Sequence, residues 1–478
     1  MGMIRVVPFV AFLLVCLASY AAAAAVNGAM VAVTPMNIMF HPTGDDGSYV
    51  FTYVTGSSAA QTQHKFPPYT KVPKTNVYYG TSKSALSKVV TGESKHFEHL
   101  KYASDVHTVV LKGLTAGTKY YYAVGDHETG LDATSPTYSF TAGPVKKWAI
   151  YGDYGYTNME QSLKTLLDDG AKGLYDGIIH VGDIAYDLHN GNGVRGDDFI
   201  EALQPVMTAM PYIMVVGNHE KEGNFTHFTS RFRSLETLGR SSGSNTALWW
   251  SLDVPQAHLV TIDTEVYSYF PDPGQQKRQL AWLEKDLIAA NKRRSVTPWI
   301  VMLAHKCDWQ DEVDYTDFRI LAHKYGVDVL VCGHQHNYQR LFPGLRRNIQ
   351  TFEDEHLFTD PSFWTQIVVG SPGCQEKISK GLAPYKGSVA QYFLSYGYGM
   401  MEIKNKTHFE WEWKQTNTAT MFNGETVQDA LAIWEQNRSG RLTAEASIKD
   451  WMTLIQHSHG PRDELSAAHF EYNRDLDY

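Results

Sequence analysis

Two kinds of hydrophobic patterning divide the chain. From about residue 27 to residue 143, short runs of alternating apolar and polar positions recur between turn signals: Tyr49–Thr55, Asn76–Tyr79, His107–Leu111, Lys119–Val124 and Thr137–Thr141. A period of two marks strands with one buried face, and this spacing predicts a small all-β sandwich over 27–143. From Trp148 onward the pattern changes. Short, continuous apolar runs (Trp148–Tyr151, Gly177–Val181, Tyr212–Val216, His258–Ile262, Trp299–Leu303, Val327–Cys332, Gln366–Val369) alternate with helical stretches. Such alternation predicts an α/β layer architecture. The clearest helix is Lys277–Asn291, with Leu280, Leu283, Leu287 and Ile288 on one face. A β-like finish follows at Tyr396–Ile403 and at Phe409-Glu-Trp-Glu-Trp, and the last residues, 421–478, read as a polar, partly helical tail, for example over Thr426–Gln436.

The ends of those buried runs carry the chemistry. Asp153 stands in Gly-Asp-Tyr-Gly, Asp183 and Tyr186 in Gly-Asp-Ile-Ala-Tyr, and Asn218 in Gly-Asn-His-Glu. His305 closes a hydrophobic run, and His334 and His336 lie in Gly-His-Gln-His. Five of these motifs directly follow a strand candidate, and ligands of open α/β sheets gather at the carboxyl ends of strands. In a strand-end His-x-His, both histidines project the same way and Gln335 points away. Oxygen and imidazole donors of this kind suit two hard or borderline metal ions sharing a carboxylate. A pair of ions about 3.5–4 Å apart is a common device for phosphoester hydrolysis. His219, next to Asn218, is placed to give a proton to a leaving alkoxide or to hold a phosphate. Arg340, in Asn-Tyr-Gln-Arg after the histidine pair, either meets substrate phosphate or braces the loop. His180, between apolar strand residues, reads as a core histidine, while Asp187 and His189 fall in a glycine-rich loop with no role assigned.

Composition narrows the class. The chain has 478 residues, 43% of them hydrophobic, with a formal net charge of -9. No dense Lys/Arg patch occurs, which argues against nucleic acid and against an acidic membrane surface as partners. Residues 1–25 read as a secretory signal, with Arg5, the apolar run Val6–Leu17 and small residues at Ala21–Ala25. No later stretch reaches membrane-spanning length. Asn-x-Ser/Thr triplets at Asn224, Asn405 and Asn437 are candidate glycosylation sites on that route. The expected location is therefore outside the cell or in an endomembrane or lysosomal lumen. Once Cys16 leaves with the signal, Cys307, Cys332 and Cys374 remain, an odd number. Cys307 and Cys332 are expected to pack beside the ligand histidines, with a bridge between them as the alternative.

Taken together, these motifs resemble the purple acid phosphatases, a branch of the calcineurin-like metallophosphoesterases, over roughly residues 30–415. The segment from Leu111 to Tyr122, a turn before a tyrosine-rich strand, resembles a fibronectin-type-III sandwich. The resemblance implies such a sandwich at 27–143 and a catalytic domain at 146–420, in which two packed sheets are flanked by helices. It also implies a first ion, Fe(III), on Asp153, Tyr186, His336 and bridging Asp183. A second ion, Zn(II), Mn(II) or Fe(II), would sit on Asp183, Asn218, His305 and His334. Tyr186 is the discriminating residue, because its phenolate suits Fe(III) and gives the family its colour. The implied activity is acid phosphatase (EC 3.1.3.2), in which hydroxide generated at the two ions attacks small phosphate monoesters under mildly acidic conditions. The alternatives are a phosphodiesterase or nucleotide pyrophosphatase of the same superfamily, or a non-catalytic binding protein. Dimers are common in the family, and the sequence carries no interface signal. The chain departs from the family pattern at Met302, usually valine there. It also departs after His305, where no histidine follows until His323, on an expected helix. A more acidic and more open substrate pocket is expected instead, lined by Asp308, Asp314 or Tyr315.

Overall fold

A computed structural model describes residues 34–45, 47–57, 72–127, 133–268, 271–307, 316–345, 348–376, 387–418 and 447–462. Residues 1–25, the helix expected over Thr426–Gln436, the segment holding Asp308, Asp314 and Tyr315, and Asn437 all lie outside these.

The N-terminal unit is a sandwich, as its alternation predicts. One sheet orders Met36–Pro42, Tyr49–Thr55, Tyr102–Leu111 and Glu93–His99; the other is built on Lys88–Thr91, Asn76–Gly80 and Lys119–Asp126. Phe40, Phe51, Tyr122 and Phe140 fill the space between them. Their rings meet edge-on, tilted or stacked, with centroids 4.7 to 6.3 Å apart.

Behind it stand two seven-stranded sheets. The first runs Tyr212–Val215, Gly177–Val181, Lys147–Tyr151, Ser395–Ile403, His408–Thr418, Ser447–Ile455 and Leu357–Thr359. The second runs Ser251–Val254, Ala257–Thr261, Trp299–Leu303, Val329–Cys332, Thr365–Val369, Tyr338–Leu341 and Ser388–Tyr392. In each, the continuous apolar runs pair in parallel: Ile178 opposite Tyr212, Val301 opposite Val329, Val329 opposite Thr365. Gly177–Val181 and Trp299–Leu303 are buried at every position, as parallel strands covered on both faces must be. Ile150, Ile179, Val301, Val331, Trp411 and Trp413 belong to one core shared by both sheets. The architecture is therefore α/β, a β-sandwich followed by a two-sheet layered domain.

Three expectations are corrected. The helix spans Pro273–Asn291 and buries Gln279, Trp282, Leu283, Leu287 and Ala290, while Ile288 is 39% exposed. Its apolar stripe is rotated because the adjoining core is reached by Trp282 and Ala290. Within the tail, Ser447–Ile455 is a strand pairing antiparallel with His408–Thr418, so the first sheet extends beyond residue 420. Its alternation turns Asp450, Met452 and Leu454 inward. Finally, Cys307 and Cys332 are joined by a disulfide, with Cα atoms 5.6 Å apart, and among the described residues Cys374 is left as a buried free thiol. His323 does lie on the helix Thr316–Lys324, and His180 is a core histidine whose Nδ1 bonds the Tyr212 hydroxyl at 2.9 Å.

Candidate metal centre

All seven expected donors are brought to one end of the two sheets. Four of them leave their strands through left-handed backbone: Asp153 (φ 56°), Asp183 (φ 51°), Tyr186 (φ 46°) and His334 (φ 66°). Each such residue costs about 1–3 kcal/mol, and clusters of them mark functional sites. The turns also need glycine. Gly182 has φ 83°, and a Cβ there would lie 2.5 Å from His305 Nδ1.

Two groups of donors result. In the first, the Tyr186 hydroxyl lies 2.8 Å from His336 Nε2 and 3.2 Å from Asp153 Oδ1, with His336 Nε2 3.5 Å from that same oxygen. In the second, one ligand atom each of Asp183, His305 and His334 lies within 4.8 Å of the others. His305 Nε2 is 3.2 Å from Asp183 Oδ2 and 3.1 Å from Asn218 Oδ1. His305 Nδ1 faces the Val181 carbonyl at 2.9 Å, which aims Nε2 into the site. The groups are tied together at the backbone, since the His334 N–H donates to Asp153 Oδ2 at 2.7 Å. Asp153, Asp183 and His305 are buried, and Tyr186 is 1% exposed.

The electrostatics favour cations. Burial alone would lower the His305 pKa, but the charges of Asp183 and Asp153 outweigh it and raise it to about 10. Burial would raise the Asp183 carboxyl, but His305 holds it below the usual carboxylate range. Burial, together with Asp153 and Asp183, pushes the Tyr186 phenol well up, so ionising it requires a nearby cation. Carboxylate, phenol, amide and imidazole donors grouped in this way fit two metal ions.

His219 sits beside both groups. Its Nδ1 lies 2.6 Å from Asp187 Oδ1, and its Nε2 faces Asp183 Oδ2 at 3.9 Å and Glu376 Oε1 at 3.4 Å. Burial opposes its charged form, but the Asp187 hydrogen bond and the Asp183 charge prevail, and its pKa rises to about 9. Arg340 stands apart from the centre. It is fully buried and its Nε and Nη2 donate to Asp450 at 2.6 and 2.7 Å, so the substrate contact gives way to a bracing role.

Sequence reasoning missed Asp187, set aside as part of a glycine-rich loop. It also missed Glu220, whose carboxylate accepts the backbone N–H groups of Gly217, Asp183 and Ile184 at 2.9 to 3.0 Å. The capping position of Glu220 after Gly217 was the available signal. The Lys306–Glu265 ion pair, 2.9 Å long and fully buried beside His305, left no sequence signal. Of the glycosylation candidates described, Asn224 and Asn405 are exposed.

This two-sheet phosphoesterase architecture is borne out by comparison with known proteins. Residues 35–142 match the model of the purple acid phosphatase N-terminal domain, 103–338 that of the calcineurin-like phosphoesterases, and 364–427 that of the iron/zinc purple acid phosphatase-like protein C. Mouse acid phosphatase type 7 is 30% identical over 401 residues, covering 79% of this chain and 86% of that protein. Purple acid phosphatase 18 of Arabidopsis thaliana is 27% identical over 361 residues, covering 71% and 75% of the two chains. The structure of purple acid phosphatase PPD1 from yellow lupin seeds superposes with a TM-score of 0.65 at 17% identity, covering 88% of this chain and 74% of that one. The chain belongs to the purple acid phosphatase family, and hence to the phosphatases with a dinuclear metal centre.

One prediction tests the backbone argument. Gly182→Ala is expected to push the His305 ring aside and lower phosphatase turnover about 100-fold, the scale of a misplacement near 1 Å. Steady-state kinetics on a chromogenic monoester reads this; turnover within twofold of wild type would mean that the ring has room to yield.

Proposed function

We propose that this chain is a secreted acid phosphatase acting on small phosphate monoesters. Its dinuclear centre would hold Fe(III) on Asp153, Tyr186, His336 and Asp183, and Zn(II), Mn(II) or Fe(II) on Asp183, Asn218, His305 and His334. The carrying observation is the Tyr186 hydroxyl, 2.8 Å from His336 and 3.2 Å from Asp153. Once ionised beside a cation, its phenolate would be a hard anionic donor suited to Fe(III). When bound, the two ions would neutralise phosphate oxygens and lower the pKa of water.

The chain's own residues then have separable tasks. Asp183, grouped with His305 and His334, would be the carboxylate common to both ions. Asp187 fixes the His219 ring through Nδ1 and leaves Nε2 turned toward the centre, where it can hold the phosphate or protonate the leaving oxygen. Val181 and Glu220 hold His305 and the Gly217–Asn218 turn in place. Secretion is supported by the apolar N-terminal pattern and the exposed sequons at Asn224 and Asn405. Among the described residues, no helix is long and apolar enough to cross a membrane.

The test is the visible spectrum and metal content of protein purified from a secretory host. A broad visible band with iron and a second metal is expected, and Tyr186→Phe should lose that band while keeping part of the metal. A colourless wild-type protein with two divalent ions, turning over diesters faster than monoesters, would move the assignment to a phosphodiesterase. A fully metallated protein inactive on every phosphoester would leave only the binding-protein reading.

A further inference from the structure

The helix Val194–Met207 packs against the sandwich strand Met36–Pro42, and its first turn carries a buried charge. Asp197 is 3% exposed. It accepts from Asn37 Nδ2 at 2.8 Å, Ser57 Oγ at 2.5 Å, Tyr102 Oη at 3.1 Å and Arg231. Three of these four donors belong to the sandwich. A buried ion pair is tolerated when further hydrogen bonds satisfy it, and here another domain supplies them.

The same cluster grips the loop that precedes the helix. Arg231 Nη2 donates to the Gly193 carbonyl at 2.9 Å, and its guanidinium stands 4.2 Å above the Tyr102 ring. Gly193 has φ 85°, and a Cβ there would run into the Tyr102 ring, within 2.7 Å of Cε2. Hydrogen bonds link this point to the metal centre along the loop. The Gly193 N–H donates to the His189 carbonyl at 2.9 Å, Asn190 Nδ2 contacts Asp187 Oδ2 at 3.3 Å, and Arg195 Nη1 donates to the Tyr186 carbonyl at 2.8 Å. Tyr186 and Asp187 therefore hang from a loop whose far end is held by the sandwich.

We infer that Tyr102 is a positioning residue of the metal centre, through which the sandwich sets the placement of Tyr186 and of the Asp187–His219 pair. This rests on the reading of Tyr186 as a metal donor. It gives the N-terminal domain a part in turnover that packing alone would not.

The test compares three variants of the full chain. Tyr102→Ala removes the ring and the hydroxyl, Tyr102→Phe removes only the hydroxyl, and Val77→Ala weakens the sandwich core without touching the cluster. Amide hydrogen exchange over residues 186–195 is followed together with kcat, KM and thermal midpoint. For Tyr102→Ala, exchange in that loop should quicken and kcat should fall by about tenfold or more, with KM little changed, because the loss is one of geometry. Tyr102→Phe should recover most of both, and Val77→Ala should alter neither, whatever its midpoint. Wild-type loop exchange with kcat within twofold of wild type in Tyr102→Ala would overturn the inference. So would a kcat loss in Val77→Ala that tracks its thermal midpoint as that of Tyr102→Ala does. Should Tyr102→Ala not fold, Tyr102→Leu, which keeps apolar bulk but removes the ring under Arg231, decides: quicker loop exchange with a reduced kcat supports the inference, and wild-type values for both overturn it. Wild-type protein lacking iron and a second ion removes only the metal reading of Tyr186, and loop exchange still decides whether the sandwich holds the loop.

Discussion

Asp183→Asn is expected to lose both metal ions and at least about 1000-fold in turnover, since bound metals supply several kcal/mol of charge stabilisation at about 1.4 kcal/mol per decade. The substitution keeps the shape of the side chain. Its remaining oxygen can still accept the His219 backbone N–H, which Asp183 Oδ1 now does at 2.9 Å. The backbone N–H of residue 183 can still reach Glu220 Oε2 at 3.0 Å. What disappears is the charge that faces His305 Nε2 at 3.2 Å and that, on the proposed reading, would serve both ions. The fold should therefore survive while the centre empties. Elemental analysis after gel filtration, with circular dichroism on the same sample, separates these outcomes. A folded variant that keeps two ions per chain and measurable hydrolysis would show that the donor set is wrongly drawn around Asp183.

The parts of this architecture legible in sequence were those that local pattern determines. Buried parallel strands are short apolar runs, and Gly177–Val181 and Trp299–Leu303 stand where such runs stood. Donors at strand ends were legible for the same reason, because a glycine-flanked polar residue after an apolar run has few other uses. Features set by distant partners were not. Asp187 matters only because the Asn218–Glu220 turn brings His219 against it. The Cys307–Cys332 bridge depends on Trp299–Leu303 and Val329–Cys332 being neighbours in register, which spacing alone does not give. The rotated face of Pro273–Asn291 reflects which core residues the helix meets, a tertiary outcome that keeps Leu280, Leu283 and Leu287 on the core, adds Trp282 and Ala290, and turns Ile288 out.

Arg340 is the sharpest case of this kind. A lone arginine just after two candidate donor histidines reads equally well as an anion contact or a brace, and the deciding partner lies 110 residues away on a strand from the tail. Asp450 takes the Arg340 guanidinium through both oxygens and accepts the Tyr338 hydroxyl at 2.6 Å, while Arg340 Nη1 donates to the Glu355 carbonyl at 2.7 Å. Asp450→Ala should therefore destabilise the protein by about 3–5 kcal/mol, the cost of leaving a buried charge without its partner. The damage should reach the metal centre, because Tyr338–Leu341 begins two residues after His336. Urea unfolding reads the loss, and a decrease below about 1 kcal/mol would mean that water or another acceptor replaces Asp450. The double variant Arg340→Met with Asp450→Leu should regain much of the stability, since apolar replacements of a buried pair are often neutral. Recovery in the double variant, against loss in the single one, would identify the tail strand as a structural part of the catalytic domain whose contribution is to tie the first sheet to the strand that follows the histidine pair in the second.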